Sequence, residues 1–399
     1  MLKVCLVTGA QLPIPDVKGG AIERILTMLL EDNEKYALVE FTIITQYDSH
    51  ALNLQNNFRY TKFINLPTPN RMLNSIHWRL LFLIEKLIGI KLGRFKLVNR
   101  KIERVLLDRY SEYDLIINEC AEIQAIKKVA DIYGTKKFCR HMHAVPGIDL
   151  LSQNVYSTTI SVSEYVKRRY EKNTSSTSSH NYVLLNCIDQ NRFIKAFDKE
   201  IIEKKKTDLG FKKDDFIVLY CGRLIKEKGV KELIDAVIKT CDDHIKLLII
   251  GASHFMKGNR GEYADNIKNL AEKYRDLIKF TGYIPNDELY IYQRMANVAA
   301  LPSICEDACP LTMMEDIISL LPQIATISGG MPEIGDENTT IFLKNDSNLS
   351  TSLSSAISYL YNNPQRLVAM REACNKKREQ FYREHYYYNF INIVKEIIN

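Results

Sequence analysis

No C-x-x-C pair, no D-x-D triplet and no G-x-G-x-x-G loop occurs in this 399-residue chain, and Trp78 is its single tryptophan. The missing glycine pattern matters because Val7-Thr-Gly-Ala10 opens like a dehydrogenase dinucleotide loop. The chain then runs Gln11-Leu-Pro-Ile-Pro15, which argues against a nicotinamide oxidoreductase. The nine cysteines are odd in number, so they read as free buried thiols in a reducing compartment and not as a disulfide framework. Cys305 and Cys309 have no histidine near them in sequence, so no zinc site is expected there. The longest apolar stretch, 80–84 with 87–90, is interrupted by Glu85 and Lys86 and is too short to span a bilayer. Residues 1–8 read as a first buried strand and not as a signal peptide, so a cytoplasmic protein is expected.

What is present is a soluble-protein composition, 46% hydrophobic and 26% charged, on a chain long enough for two domains. A net charge of +6 is mild and does not imply nucleic acid. Its distribution is uneven: 71–110 holds ten Lys/Arg against three Asp/Glu, a local +7. That stretch is apolar as well as basic and contains Trp78, the composition of an interfacial helix on an anionic membrane. The blander reading is a core helix with a solvated basic face.

Short apolar runs alternate with amphipathic ones. Strands are expected over 4–8, 40–45, 60–65, 114–118, 137–141, 158–162 and 182–185, with helices over 21–30, 73–107, 121–130 and 164–170. A polar loop falls at 173–179. The second half repeats the pattern, with strands over 216–221, 246–250, 278–281, 298–301 and 323–326. Its helices are expected over 229–240, 263–274, 287–295, 311–319, 349–362 and 365–398. Continuous apolar strands alternating with helices predict parallel sheets covered on both faces. The expected organisation is therefore α/β, with two Rossmann-like doubly wound domains facing a cleft. They divide as 1–185 and 186–375, with a C-terminal helix, 376–399, crossing back to the first. Ligands in such sheets bind at the carboxyl ends of the strands, so the post-strand loops should carry the chemistry.

Three of these loops stand out. Lys18-Gly-Gly20 leads into a helix, where free N–H groups and missing Cβ atoms suit an anion or sugar; the alternative is a plain flexible turn. Cys221-Gly-Arg-Leu-Ile-Lys-Glu-Lys-Gly229 places Arg223 and Lys228 in one loop after a strand, with Gly222 at the strand end, suited to a diphosphate. Leu301-Pro-Ser-Ile-Cys-Glu-Asp307 offers the acids Glu306 and Asp307; Leu311 and Thr312 then open a helix whose Glu315 could hold ribose hydroxyls.

Together these segments resemble glycosyltransferase family 4, the retaining enzymes of GT-B fold found in bacterial surface-polysaccharide synthesis. Cys-Gly-Arg-Leu-Ile-Lys-Glu-Lys-Gly is similar to its G-R-L-x-x-x-K-G segment. Phe280-Thr-Gly-Tyr283, Leu301-Pro-Ser303, the Asp307/Glu315 pair and Gly329-Gly-Met-Pro-Glu-Ile334 follow in family order. Leu185-Asn-Cys-Ile-Asp189 resembles the interdomain N-G-[IV]-D segment, with Cys187 in place of glycine. The resemblance implies that Arg223 and Lys228 hold the donor diphosphate and stabilise the leaving nucleoside diphosphate. It puts the ribose at Glu315, the sugar near Asp307, and the phosphates or acceptor against Gly19 and Gly20. The histidine near the sugar matches His143, with His141 as competitor. The family's first acid is usually glutamate, so Glu306 competes with Asp307 for that role. Domain closure, retention without a protein nucleophile, no metal and no further cofactor are implied too. So is a glycan or polyprenyl-diphosphate-linked acceptor, with the protein peripheral on the inner face of the plasma membrane. A nucleotide-sugar epimerase of the same shape and a non-catalytic donor-binding subunit are the competing functions.

Overall fold

The computed structural model describes residues 1–9, 12–67, 96–145, 147, 155–173, 180–194, 199–251 and 262–399. Strands β1 (Leu2–Val7), β2 (Val39–Gln46), β3 (Thr61–Leu66), β4 (Leu115–Asn118), β5 (Phe138–Met142), β6 (Thr158–Ser161) and β7 (His180–Val183) form one sheet in the order β3-β2-β1-β4-β5-β6-β7. Every pairing is parallel. A second parallel sheet joins β8 (Phe216–Cys221), β9 (Ile245–Ile250), β10 (Ile278–Gly282), β11 (Val298–Leu301), β12 (Gln323–Thr326) and β13 (Thr340–Leu343). Its order is β10-β9-β8-β11-β12-β13. The strand order reverses at β1/β4 in the first sheet and at β8/β11 in the second. Each reversal opens a crevice beyond the strand ends, where doubly wound folds bind ligands.

The helices are those the apolar periodicity demands. Helix α1 (Ala21–Tyr36) buries Ile25, Leu26, Met28, Leu29 and Leu30. It stops at Ala37, in the left-handed region, whose N–H bonds Asn33 O at 2.7 Å. Asn33 then clamps β2 with both ends of its amide, to Val39 O at 2.8 Å and Val39 N at 3.2 Å. Helix α2 (Ser49–Gln55) escapes sequence reasoning; it is short, and Asp48 caps it by accepting from His50 and Ala51. In α3 (Lys96–Arg109) the stripe Val98, Ile102, Leu106 enters the core while Arg100, Lys101 and Arg104 face solvent. This portion of the basic segment is thus a core helix with a solvated basic face; 68–95, including Trp78, lies outside the described residues. The expected loop at 173–179 lies outside them as well, save for Asn173, which ends a helix. Helices α4 (Gln124–Tyr133) and α5 (Glu164–Asn173) complete the first unit's layers up to β7.

In the second unit, α6 (Lys199–Asp208) precedes β8. Helices α7 (Val230–Lys239), α8 (Glu262–Lys273), α9 (Leu289–Met295), α10 (Leu311–Ile318) and the single turn α11 (Met331–Ile334) connect the strands. Then come α12 (Leu349–Asn362), α13 (Pro364–Lys377) and α14 (Arg383–Ile398). The expected single helix over 365–398 is two, separated by a 3-10 turn over Arg378–Phe381. Apolar faces of α7, α8 and α12 meet β8–β10 around Val218, Leu233, Leu247 and Leu353, all fully buried.

The compact units are Met1–Leu184 with Tyr386–Asn399, and Leu185–His385. The crossing-back segment therefore begins at Tyr386 and not at 376. Residues 381–384 stay with the second unit because Ile188 N–H bonds Phe381 O at 2.9 Å and Gln190 Nε2 bonds Glu384 Oε2 at 2.8 Å. Beyond that point Tyr387, fully buried, donates to Asn33 Oδ1 at 2.9 Å, and Phe390 packs on Phe41. Among the described residues no helix is long and apolar enough to cross a membrane.

Candidate active site

The crevice of the second sheet is built by the loops after β8 and β11. Strand β8 ends at Cys221; Gly222 and Arg223 follow, and the loop closes in a 3-10 turn over Lys226–Lys228. Gly229 sits there at φ 68°, and a Cβ on it would lie 2.0 Å from Pro302 O, so only glycine lets the two loops touch. The seam continues with Ile304 N–H and Cys305 N–H both donating to Glu227 O, at 2.8 and 3.1 Å. Across it, Lys228 Nζ lies 2.6 and 2.7 Å from the two carboxylate oxygens of Asp307, which also accepts from Ser303 Oγ at 2.6 Å.

Arg223 presents an exposed side chain, while its carbonyl is held by Tyr220 OH at 2.7 Å. It belongs to the same electrostatic neighbourhood: burial pushes the Cys305 thiol up, Asp307 adds to this, and Lys228 and Arg223 oppose it. Of the two competing acids, Asp307 is the one turned onto Lys228, whereas Glu306 is exposed. Leu311 and Thr312 form the first turn of α10, where Pro310 is the N-cap and contributes no side-chain cap, leaving backbone N–H groups for a ligand. Glu315, one turn further, is buried. With Asp316 it raises the Cys221 thiol, after burial itself, which places the Glu315 carboxylate near the end of β8. The structure thus gathers Arg223, Lys228, Asp307 and Glu315 around one strand crevice. Asn186, in the segment read as interdomain, donates to Cys309 O at 3.1 Å and so steadies the acidic loop.

The first unit carries its own cluster at β1/β4. Gly20 caps α1 at φ 122°, and a Cβ there would lie 2.1 Å from Glu23 Oε2. A carboxylate therefore occupies the space expected to admit a phosphate, beside Gly19 and Gly20. Burial raises the Glu23 pKa, its own backbone N–H lowers it, and Asp16 raises it again. A phosphate would need this side chain displaced; an uncharged hydroxyl would not.

Sequence reasoning passed over Glu119, the residue immediately after β4. Its Oε2 takes His143 Nε2 at 2.8 Å and lies 2.9 Å from His141 Nδ1. The His141 contact is short but off line, and neither nitrogen of that ring has an aligned hydrogen-bond partner among the described residues. Both His141 and Glu119 are fully buried, while the His143 side chain retains 11% exposure. Of the two candidate histidines, His143 is therefore the accessible one. The signal was an acid at the carboxyl end of a strand flanking the switch point. Donor atoms of the three residues lie within 4.8 Å of one another, close enough to hold a metal ion. Oxygen–nitrogen separations of 2.8–2.9 Å are nonetheless those of hydrogen-bonded partners.

Burial alone would raise the Glu119 pKa, but attraction to and close contact with His141, and the hydrogen bond from His143, bring it from 4.5 to about 2. His143 is lowered from 6.5 to about 4 by burial and by His141, against the opposing pull of Glu119. Both shifts mean that the unfolded chain binds protons the folded one does not. Stability should therefore fall as pH drops, first between about 6.5 and 4 through His143, then between about 4.5 and 2 through Glu119. Each step is worth on the order of 3 kcal/mol at full protonation. Urea midpoints measured from pH 7 to pH 3 should show both, and His143→Gln should remove the upper one.

Residues 201–380 match the family model of glycosyl transferases group 1, which spans both crevice loops of the second sheet. A Bacillus subtilis protein named as a glycosyltransferase, YtcC, is 23% identical over 387 residues, 96% of this chain and 88% of that one. Among solved structures, a glycosyltransferase from Rickettsia africae superposes with a TM-score of 0.76 at 15% identity, covering 100% of this chain and 99% of the other. HepE from Anabaena, solved with UDP-glucose, gives 0.72 at 15% identity over 99% of this chain and 100% of its own. These likenesses place the two parallel-sheet units in the GT-B fold. Arg223, Lys228, Asp307 and Glu315 all lie within the segment that matches glycosyl transferases group 1, and the protein is a glycosyltransferase.

Proposed function

We propose that the protein moves a sugar from a nucleotide-sugar donor to a glycan acceptor with retention of configuration, as one step of surface-polysaccharide synthesis. The observation that carries this reading is the convergence of Arg223, Lys228 and Asp307 beside the buried Glu315. Asp307 neutralises Lys228. Donor binding would exchange that pair for a diphosphate held by Lys228 and the exposed Arg223, and would free Asp307 to accept from hydroxyls of the sugar. Glu315 would accept from the ribose, and the first turn of α10, at Leu311 and Thr312, would face the phosphates. As the anomeric carbon–oxygen bond breaks, charge accumulates on the departing diphosphate. Fixed cations stabilise that charge more than they stabilise the intact donor. The acceptor hydroxyl forms the new bond to the same carbon and passes its proton to an oxygen of the departing diphosphate.

UDP-glucose, with which HepE was solved, is the first probe for this chain. A thermal-shift panel of nucleotide sugars should find a donor that raises Tm by several degrees at saturating concentration. Transfer of its labelled sugar should then follow on a suitable glycan. A panel in which no nucleotide sugar shifts Tm would overturn the donor site. The acceptor is proposed to be polyprenyl-diphosphate-linked, presented at an anionic membrane by 71–110. In a flotation assay the protein should rise with anionic vesicles at low salt; if it stays at the bottom, the membrane part of the reading fails.

A further inference from the structure

We propose that Glu119 is a positioning residue: it holds the Nε2–H of His143 and so leaves Nδ1 of that ring as a bare acceptor for an uncharged substrate hydroxyl. The substrate part rests on the transferase reading above; the tautomer does not.

The argument starts from the one aligned hydrogen bond in the cluster, His143 Nε2 to Glu119 Oε2 at 2.8 Å. An ionised carboxylate can only accept, so the proton of this bond belongs to the imidazole. A neutral imidazole protonated at Nε2 has its lone pair at Nδ1. The charged groups around the ring are Glu119, His141 and Arg140. His141 raises the cost of a positive charge on His143, as does Arg140, which is itself tied to Ala121 O at 3.1 Å. His141 cannot take over the role, since it is fully buried and its contact to Oε2 is off line. The carboxylate cannot easily turn away, because it is enclosed and its other oxygen, Oε1, has no partner among the described residues.

The consequence concerns ligand choice. A bare Nδ1 accepts from a sugar O–H but offers nothing to a phosphate oxygen. Burial raises the neighbouring Cys120 thiol, and Glu23, a second carboxylate near this crevice, adds to it with Glu119 against the opposing Arg140, so an anion beside these carboxylates is disfavoured. The crevice of the first unit is therefore a hydroxyl site, in contrast to the cationic crevice of the second.

The test is the tautomer itself, read from long-range proton–nitrogen correlations of the full chain labelled with 15N-histidine. Spectra are taken at pH 7 in EDTA and assigned with His143→Gln. The expected result is one neutral tautomer of His143, protonated at Nε2. An Nδ1–H tautomer, an imidazolium, or a spectrum that differs with and without EDTA would overturn the proposal. Glu119→Leu should give a tautomer mixture, whereas Glu119→Gln, whose amide oxygen still accepts, should retain Nε2–H; an unchanged ring in the leucine variant also overturns it. Should that variant fail to fold, the wild-type and glutamine spectra still decide. In transfer assays kcat/KM should fall about 10–100-fold in Glu119→Leu and less in Glu119→Gln. A correct tautomer in a protein that transfers no sugar would sink the transferase reading and leave the positioning role standing.

Discussion

Lys228→Ala should lower kcat/KM for sugar transfer about 100–1,000-fold while leaving the fold intact, the loss typical of removing one group that stabilises developing negative charge. Lys228 and Asp307 retain only 16% and 17% side-chain exposure, so the charge left behind is neither deeply buried nor fully solvated. Ser303 Oγ still donates to Asp307 in the variant, which limits the cost to stability. A shift in Tm of no more than a few degrees is therefore expected. Lys228→Arg should not restore the wild-type rate, because a planar guanidinium cannot take the place of a compact ammonium between two loops this close. Asp307→Asn makes a sharper comparison. It releases Lys228 from its ion pair, so nucleotide affinity should hold or rise, while turnover falls if Asp307 receives the sugar. Wild-type turnover in Lys228→Ala would refute the assignment of the diphosphate site.

The second large effect concerns backbone and not charge. Gly329 is at φ 57°, and a Cβ on it would sit 2.0 Å from Asp307 O and 2.7 Å from Asp307 N. Its neighbour Gly330 donates its N–H to that same carbonyl at 2.7 Å. Gly329→Ala must therefore push the acidic loop away from the turn after β12, break that hydrogen bond and drag Asp307 off Lys228. A destabilisation of about 3–5 kcal/mol is expected, with Tm lower by roughly 10 °C, and transfer should be lost at temperatures where the protein remains folded. Gly282 provides the control. Its φ of 79° is equally left-handed, but nothing lies within 4 Å of an added Cβ, so Gly282→Ala should cost only about 1–2 kcal/mol. Equal losses in the two variants would mean that conformation, and not the seam around Asp307, governs the effect.

The parts of this molecule that can be read from sequence are those fixed by local pattern. Strands 216–221, 298–301 and 323–326 were expected at the residues where they occur: the first two are continuous apolar runs, and the third sets Ile324-Ala325 between polar ends. Strand β13 (Thr340–Leu343) was missed: four residues at the sheet edge, only partly buried, leave little periodicity. Helix α6 (Lys199–Asp208) was missed because seven of its ten residues are Lys, Glu or Asp and only Ile202 is buried. Candidate residues of the second crevice were legible because each lies in a loop directly after a strand or in the helix that follows. Their pairing was not, since Lys228 and Asp307 are 79 residues apart. Glu119 shows the same limit more severely. Nothing in Asn118-Glu-Cys-Ala121 announces a histidine partner 24 residues later; only the parallel register of β4 with β5 brings the two together.

The chain leaves its first unit at Leu184 and re-enters at Tyr386, and this path governs how the protein can be made. A ribosome delivers β1 to β7 early, yet Asn33 waits 354 residues for Tyr387, and Phe41 nearly as long for Phe390. The intervening unit is continuous in sequence and can finish folding as soon as it emerges. Until α14 emerges, the nascent first unit carries an uncovered apolar flank beside α1 and β2. It is then the species most exposed to proteases and to capture by chaperones, even though it was synthesised first.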